Sequence, residues 1–211
     1  MKARSVKALH ADMALADAAE RIVRLRLAEL YSFMPRALEP SEVKALHDLR
    51  IAAKRLRYVL EITAPFLGEY APTAAKRARD IQDLVGEIHD CDVQRPQVLG
   101  RLDELRAKDA ADLRGVAGDA DDLDPALSAR TPHRDAYGGL EVLATHLQAR
   151  RSLLFERFLA LWEKLESQGF RRRLEEAIEQ RSSPEAVPSP AGNGRSEHAD
   201  ALRSAVANFV T

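Results

Sequence analysis

Cysteine is almost missing from this chain. The single residue, Cys91, excludes an internal disulfide and a cysteine-built zinc site, and it fits a reducing compartment. Long apolar runs are missing too, so no segment reads as membrane-spanning. The start, Met1 to Leu9, is basic but leads into a charged amphipathic segment rather than a signal-peptide core. The expected location is cytoplasmic. An excess of one charge is also lacking: 32 Lys and Arg stand against 33 Asp and Glu, a net charge of -1. Such a chain does not coat nucleic acid as a polycation, and any anion site must be local. There is no Walker loop, dinucleotide glycine fingerprint or zinc-protease helix. The six histidines are scattered with no pair at i, i+4, and no nucleophile–base pair stands out.

What is present is Leu, Ala, Arg and Glu, without strand-like alternation, which predicts an all-α fold. The length of 211 residues suits one domain with a tail. A first helix is expected from about Ala11 to Arg36, with Met13, Ile22, Leu25, Leu30 and Phe33 in phase and Pro35 and Pro40 closing it. Ser41 is the expected N-cap of a second helix that ends near Pro65 and Gly68. A third opens near Pro72 and runs towards Val93, with Pro96 kinking or ending it. An acidic loop is expected over about 109–132, after at most a short helix through Leu102, Leu105 and Leu113. A fourth long helix spans about Asp135 to Glu166, and after Gly169 a short one runs from Phe170 to Gln180. Residues 182–211 read as a mostly disordered tail, rich in Ser, Pro, Ala and Gly over 182–196, with a short amphipathic stretch from His198 to Phe209.

The second helix carries the strongest signal. His47, Arg50, Lys54 and Arg57 fall in one stripe spanning about 80° of the helix circumference. Leu46, Leu49, Ala53, Leu56 and Leu60 form an apolar face centred about 100° away. The cations therefore sit at the edge of the buried side, where a groove between helices would lie. Stacked cations repel, and an anion along the stripe relieves that repulsion. An ordinary solvated basic face gives the same pattern. The fourth helix repeats it: His146, Arg150, Arg157 and Lys164 fall within about 40° of one another. Beside them run Leu140, Leu143, Leu147, Leu154, Phe158, Leu161 and Leu165. In an up-down-up-down bundle the second and fourth helices run parallel, so the two stripes could face one groove. Lys76 and Arg79 on the third helix, and Arg21 and Arg24 on the first, are further wall candidates, with a solvated surface the alternative for each. Asp90 and Asp92 point about 200° apart on a helix, which argues against a shared magnesium ion.

These residues carry a family resemblance. His47-x-x-Arg50 followed by Ile51-Ala52-Ala53-Lys54-Arg55-Leu56-Arg57-Tyr58-x-Leu60-Glu61 resembles the signature of the CHAD family, the conserved histidine α-helical domain. Ile81-Gln82-Asp83-Leu84-x-Gly86-Glu87-Ile88-His89-Asp90-x-Asp92-Val93 is similar to its second motif. Arg150-Arg151 through Phe158 to Trp162 is similar to its closing arginine-rich helix, and the likeness spans about residues 10–180. The resemblance implies a bundle of long antiparallel helices with a basic groove between them. It implies a domain that binds inorganic polyphosphate without catalysis and is associated with polyphosphate granules; no cofactor or metal is expected. By motif, the ligand contacts would be His47, Arg50, Lys54 and Arg57, then Arg150 and Arg157. The signature helix occurs once here, so a complete channel takes either one chain or a homodimer.

The chemistry of the stripe agrees. Arginine grips phosphate oxygens bidentately and lysine acts as a point charge. Few aromatics lie on the stripes, which argues against single-stranded nucleic acid. The alternative is an interaction module docking acidic or phosphorylated partners. A polyphosphate-processing enzyme would need a cluster of carboxylates around a metal.

Overall fold

Ala19, Ile22, Val23, Leu27, Leu30 and Met34 repeat at three- and four-residue steps and are all buried. This is the apolar face of the first helix, α1 (Leu15–Ala37). The computed structural model describes residues 3–7 and 9–180. After α1 come α2 (Val43–Thr63), α3 (Ala71–Ala117), α4 (Arg134–Ser167) and α5 (Phe170–Glu179), with short 3₁₀ turns at Ala64–Phe66 and Pro125–Arg130. There is no strand among the described residues, and the helices pack on one another in an all-α bundle. No helix among these residues is long and apolar enough to cross a membrane. The expected tail over 182–211 lies outside the described residues.

The chain divides into two compact units. One takes the chain up to Gly86 together with the part from Phe158 onward; the other is Glu87–Arg157. In the first, α1 packs on α2 across the short connection at residues 38–42. Leu46, Leu49, Ala52, Ala53, Leu56 and Leu60 are buried, and Ile81, Val85, Phe158, Leu165, Phe170, Leu174 and Ile178 are buried with them. The two alanines keep α2 thin on that side. In the second unit, Ile88, Cys91, Leu102 and Leu105 of α3 and Ala144, Leu147, Leu154 and Phe155 of α4 are buried.

Several boundaries differ from expectation. Ser41 does not cap α2: Glu42 holds that position without a side-chain cap bond, because its carboxylate is taken by Arg36. Pro35 does not stop α1 but sits in its last turn. Pro96 does not end α3, which continues to Ala117. An interior proline costs about 3 kcal/mol, and the buried residues on either side of it, Ile88 and Cys91 before and Leu102 and Leu105 after, offset that cost. The expected acidic loop shrinks accordingly, since 109–117 is helix and 125–130 is a 3₁₀ turn. Leu143, placed on the apolar face of α4 by its spacing, is exposed. Gly169 adopts φ +67° and joins α4 to α5, a left-handed turn that favours glycine.

One feature of the first unit lies outside any motif. Arg26 and Glu29, each only 1% exposed, form an ion pair at 2.8 Å inside the apolar face of α1. Together they clasp the backbone of Arg4: Glu29 Oε1 accepts its N–H at 2.7 Å, and Arg26 donates to its carbonyl at 3.1 Å. The pair fixes the N-terminal segment against α1.

Candidate anion-binding site

The apolar residues of α2 anchor its inner face, so the next positions round the helix lie at the edge of the core. Arg50 and Arg57 are half-buried there, His47 likewise, and Lys54 is exposed. The sequence places the stripe at this edge, and the structure holds it there. Tyr58 lies beside it: the Arg57 guanidinium sits 4.3 Å from the centre of its ring, and Lys54 Nζ 5.7 Å. The negative face of the ring stabilises two neighbouring cations at one point.

Arg50 is held differently. A Cβ built on Gly86 of α3 would lie 3.4 Å from Arg50 Nε and 3.9 Å from its Cδ. The stem of Arg50 thus lies against α3 at Gly86, where an added Cβ would just make van der Waals contact with it. Arg50 Nε is buried and finds no hydrogen-bond acceptor among the described residues. Packing fixes the base of the side chain, and no carboxylate among the described residues forms an ion pair with it.

Glu61 marks the end of the stripe. It is four residues beyond Arg57 on the same face, and its carboxylate lies 3.6 Å from Arg57 Nε and accepts from Arg79 at 2.6 Å. Arg79 is thus brought to the stripe, but as the partner of an acid. Lys76 is exposed on α3. Arg24 on α1 is engaged by Glu20 at 3.0 Å and Glu179 at 3.6 Å. Arg24 and Arg21 line a separate depression with the N-terminal segment, one that no α2 residue lines.

His146, Arg150 and Arg157 belong to the second unit. His146 and Arg157 are exposed, and Arg150 donates to Glu87 at 2.6 Å. Lys164, which shares their stripe in the sequence, lies in the first unit and is exposed. The more enclosed arginine of α4 is Arg151, on its buried side, which pairs with Asp92 at 2.6 Å and lies over Phe155. The Asp92 carboxylate is therefore committed to an arginine, while Asp90 is exposed on another side of α3.

Residues 2–99 match the family model of the CHAD domain. The chain carries a CHAD domain. The match covers α1, α2 and α3 as far as residue 99, so it includes the stripe, Tyr58, Glu61 and Gly86. It stops ahead of α4, so the arginine-rich helix expected to close the domain lies outside the match. No curated protein and no solved structure matches the chain.

One polar cluster was not legible as a site. Asp109, counted with the acidic loop, is buried on α3 and accepts from His133 Nδ1 at 2.6 Å, from the His133 backbone N–H at 3.3 Å and from the Tyr137 hydroxyl. Its phase with Leu102 and Leu105 was the available signal. Burial alone would raise its carboxyl, but the hydrogen bonds from Tyr137 and His133 outweigh that and hold it below the ordinary value of 3.8. Tyr137 is pushed up, first by its bond to Asp109 and then by burial. The cluster ties the end of α3 to the start of α4 across residues 118–132.

A depressed carboxyl stabilises the fold fully above its unfolded value, and the contribution is lost as pH falls through the folded one. The expected outcome is that amide protection over residues 118–137, taken relative to the unstructured chain at the same pH, falls in acid below about pH 4. Asp109→Asn should bring that loss of protection to neutral pH. Equal exchange in the parent and the variant at neutral pH would remove the cluster's role.

Proposed function

We propose that this CHAD domain binds inorganic polyphosphate along the α2 stripe, through His47, Arg50, Lys54 and Arg57. The observation that carries the reading is Arg50: a half-buried cation lying against Gly86, with a sequestered Nε and no ion-pair partner among the described residues. A buried unmet donor on a charged group is costly to the free protein. A phosphate chain lying at the groove edge supplies the missing counter-charge. Arg50 and Arg57 are seven residues apart, about 10 Å along the axis, so a repeating anion can engage both in turn. Tyr58 is covered by Lys54 and Arg57, which leaves its ring engaged by cations rather than offered to a base. This favours a polymer without bases over single-stranded nucleic acid.

The role is binding rather than catalysis, and it directs the chain to polyphosphate granules. The acid within the stripe, Glu61, already serves Arg57 and Arg79. In this account Glu61 limits the stripe: it competes with the ligand for both arginines. Glu61→Gln should therefore tighten binding of long-chain polyphosphate and leave helix content unchanged, read by fluorescence anisotropy and circular dichroism. Weaker binding by Glu61→Gln would show that the ligand does not reach Arg57. Steep weakening with added salt is expected as well, since counterions are released when cations meet phosphate.

A further inference from the structure

A second cationic feature lies apart from the stripe. The N-terminal segment runs over α1 and leaves a depression of about 780 Å³ between them. Arg4 and Lys7 line it from the segment, and Arg21 and Arg24, about one turn apart, from α1; Val6 and Leu25 are its apolar lining. No carboxylate among the described residues lines it, and Glu20 and Glu179 reach Arg24 without entering the lining. The segment wall is held in place at its backbone: the buried Arg26–Glu29 pair bonds both the N–H and the carbonyl of Arg4. That arrangement fixes the Arg4 backbone against α1, and its guanidinium lies 3.4 Å from the Ser32 hydroxyl.

We infer that this depression is a second anion site, which takes a short polyphosphoryl group between the N-terminal segment and α1. Four cations from two segments line one concave surface, together with Ser5 and the apolar Val6 and Leu25. Guanidinium pairs suit adjacent phosphoryl oxygens, and the ammonium of Lys7 adds a point charge. The volume accommodates either inorganic triphosphate or the triphosphate of a nucleotide with its base against Val6 and Leu25. Binding here seals the segment onto α1, because the ligand bridges the two walls. The inference stands independently of polyphosphate binding at α2.

The test is limited trypsin digestion of the full chain, with cleavage after Arg4 and after Lys7 followed by mass spectrometry. Inorganic triphosphate should slow both cleavages about tenfold, the effect of one charged hydrogen bond of about 1.4 kcal/mol per bridging contact. Arg50→Ala should keep the full protection, whatever it does to long-chain binding. Arg21→Gln with Arg24→Gln should abolish it. ATP in place of triphosphate separates the two ligands: equal protection assigns the site to the phosphoryl chain alone, and protection at lower concentration adds the base. Cleavage unaffected by either compound, or protection that survives the double glutamine change, would overturn the inference. Protection lost in Arg50→Ala would assign the effect to the α2 stripe instead.

Discussion

Glu29→Ala should destabilise the chain by about 3–5 kcal/mol, the usual cost of stranding a buried charge by removing its partner. Glu29 is 1% exposed, and its two oxygens are used differently: Oε2 pairs with Arg26 at 2.8 Å and Oε1 accepts the Arg4 N–H at 2.7 Å. Truncation leaves Arg26 charged inside the apolar face of α1 with one hydrogen bond remaining, to the Arg4 carbonyl at 3.1 Å. Urea denaturation reads the loss. Trypsin reads a second consequence, faster cleavage after Arg4 under native conditions. Replacing both partners, Arg26→Met with Glu29→Leu, should recover most of the stability, because no buried charge is then left. The double variant should nevertheless keep the rapid N-terminal cleavage, since neither new side chain bonds the Arg4 backbone. A small effect of Glu29→Ala on stability would mean that water reaches the pair.

That ion pair shows where sequence reading stops. Arg26 and Glu29 lie in phase with Ile22 and Leu30, so charged residues on an apolar face were visible. What they clasp was not, because the Arg4 backbone meets α1 only in three dimensions. The bundle itself was legible for a simple reason: Leu46, Leu49, Ala53, Leu56 and Leu60 keep helical spacing and every one is buried. Pro96 misled because local rules treat an interior proline as a stop, whereas tertiary burial either side of it decided the outcome. Asp109 misled in the opposite direction. Its acidic neighbours suggested a loop, but its own position follows the buried phase of Leu102 and Leu105.

At the stripe, sequence spacing identified the cations and their place at the core edge. It gave no weight to Glu61, which continues the same face one turn later, forms an ion pair with Arg57 and accepts a hydrogen bond from Arg79. Nor did it distinguish Arg50 from its neighbours. Only the close approach of Gly86 separates them, and that contact links residues far apart in sequence.

Arg50→Ala should weaken binding of long-chain polyphosphate by about 1–3 kcal/mol, one charged hydrogen bond to phosphate. Arg57→Ala should cost less, because in the free protein Arg57 already has a counter-charge, Glu61 at 3.6 Å. Helix content should hold in both, since alanine favours helix and the α2 core lies on the adjoining face. Gly86→Leu offers an independent route to the same residue. A branched side chain where a Cβ would already stand 3.4 Å from Arg50 Nε must displace the guanidinium, so binding should fall with every cation still present.

The most direct measurement is equilibrium binding of the full chain to labelled long-chain polyphosphate, competed with single-stranded DNA and with a phosphopeptide, for the parent and for Arg50→Ala. The account predicts that unlabelled polyphosphate competes far more effectively than either alternative, and that Arg50→Ala loses affinity while remaining folded. Equal competition by all three anions, or parent-like affinity in folded Arg50→Ala, would contradict it.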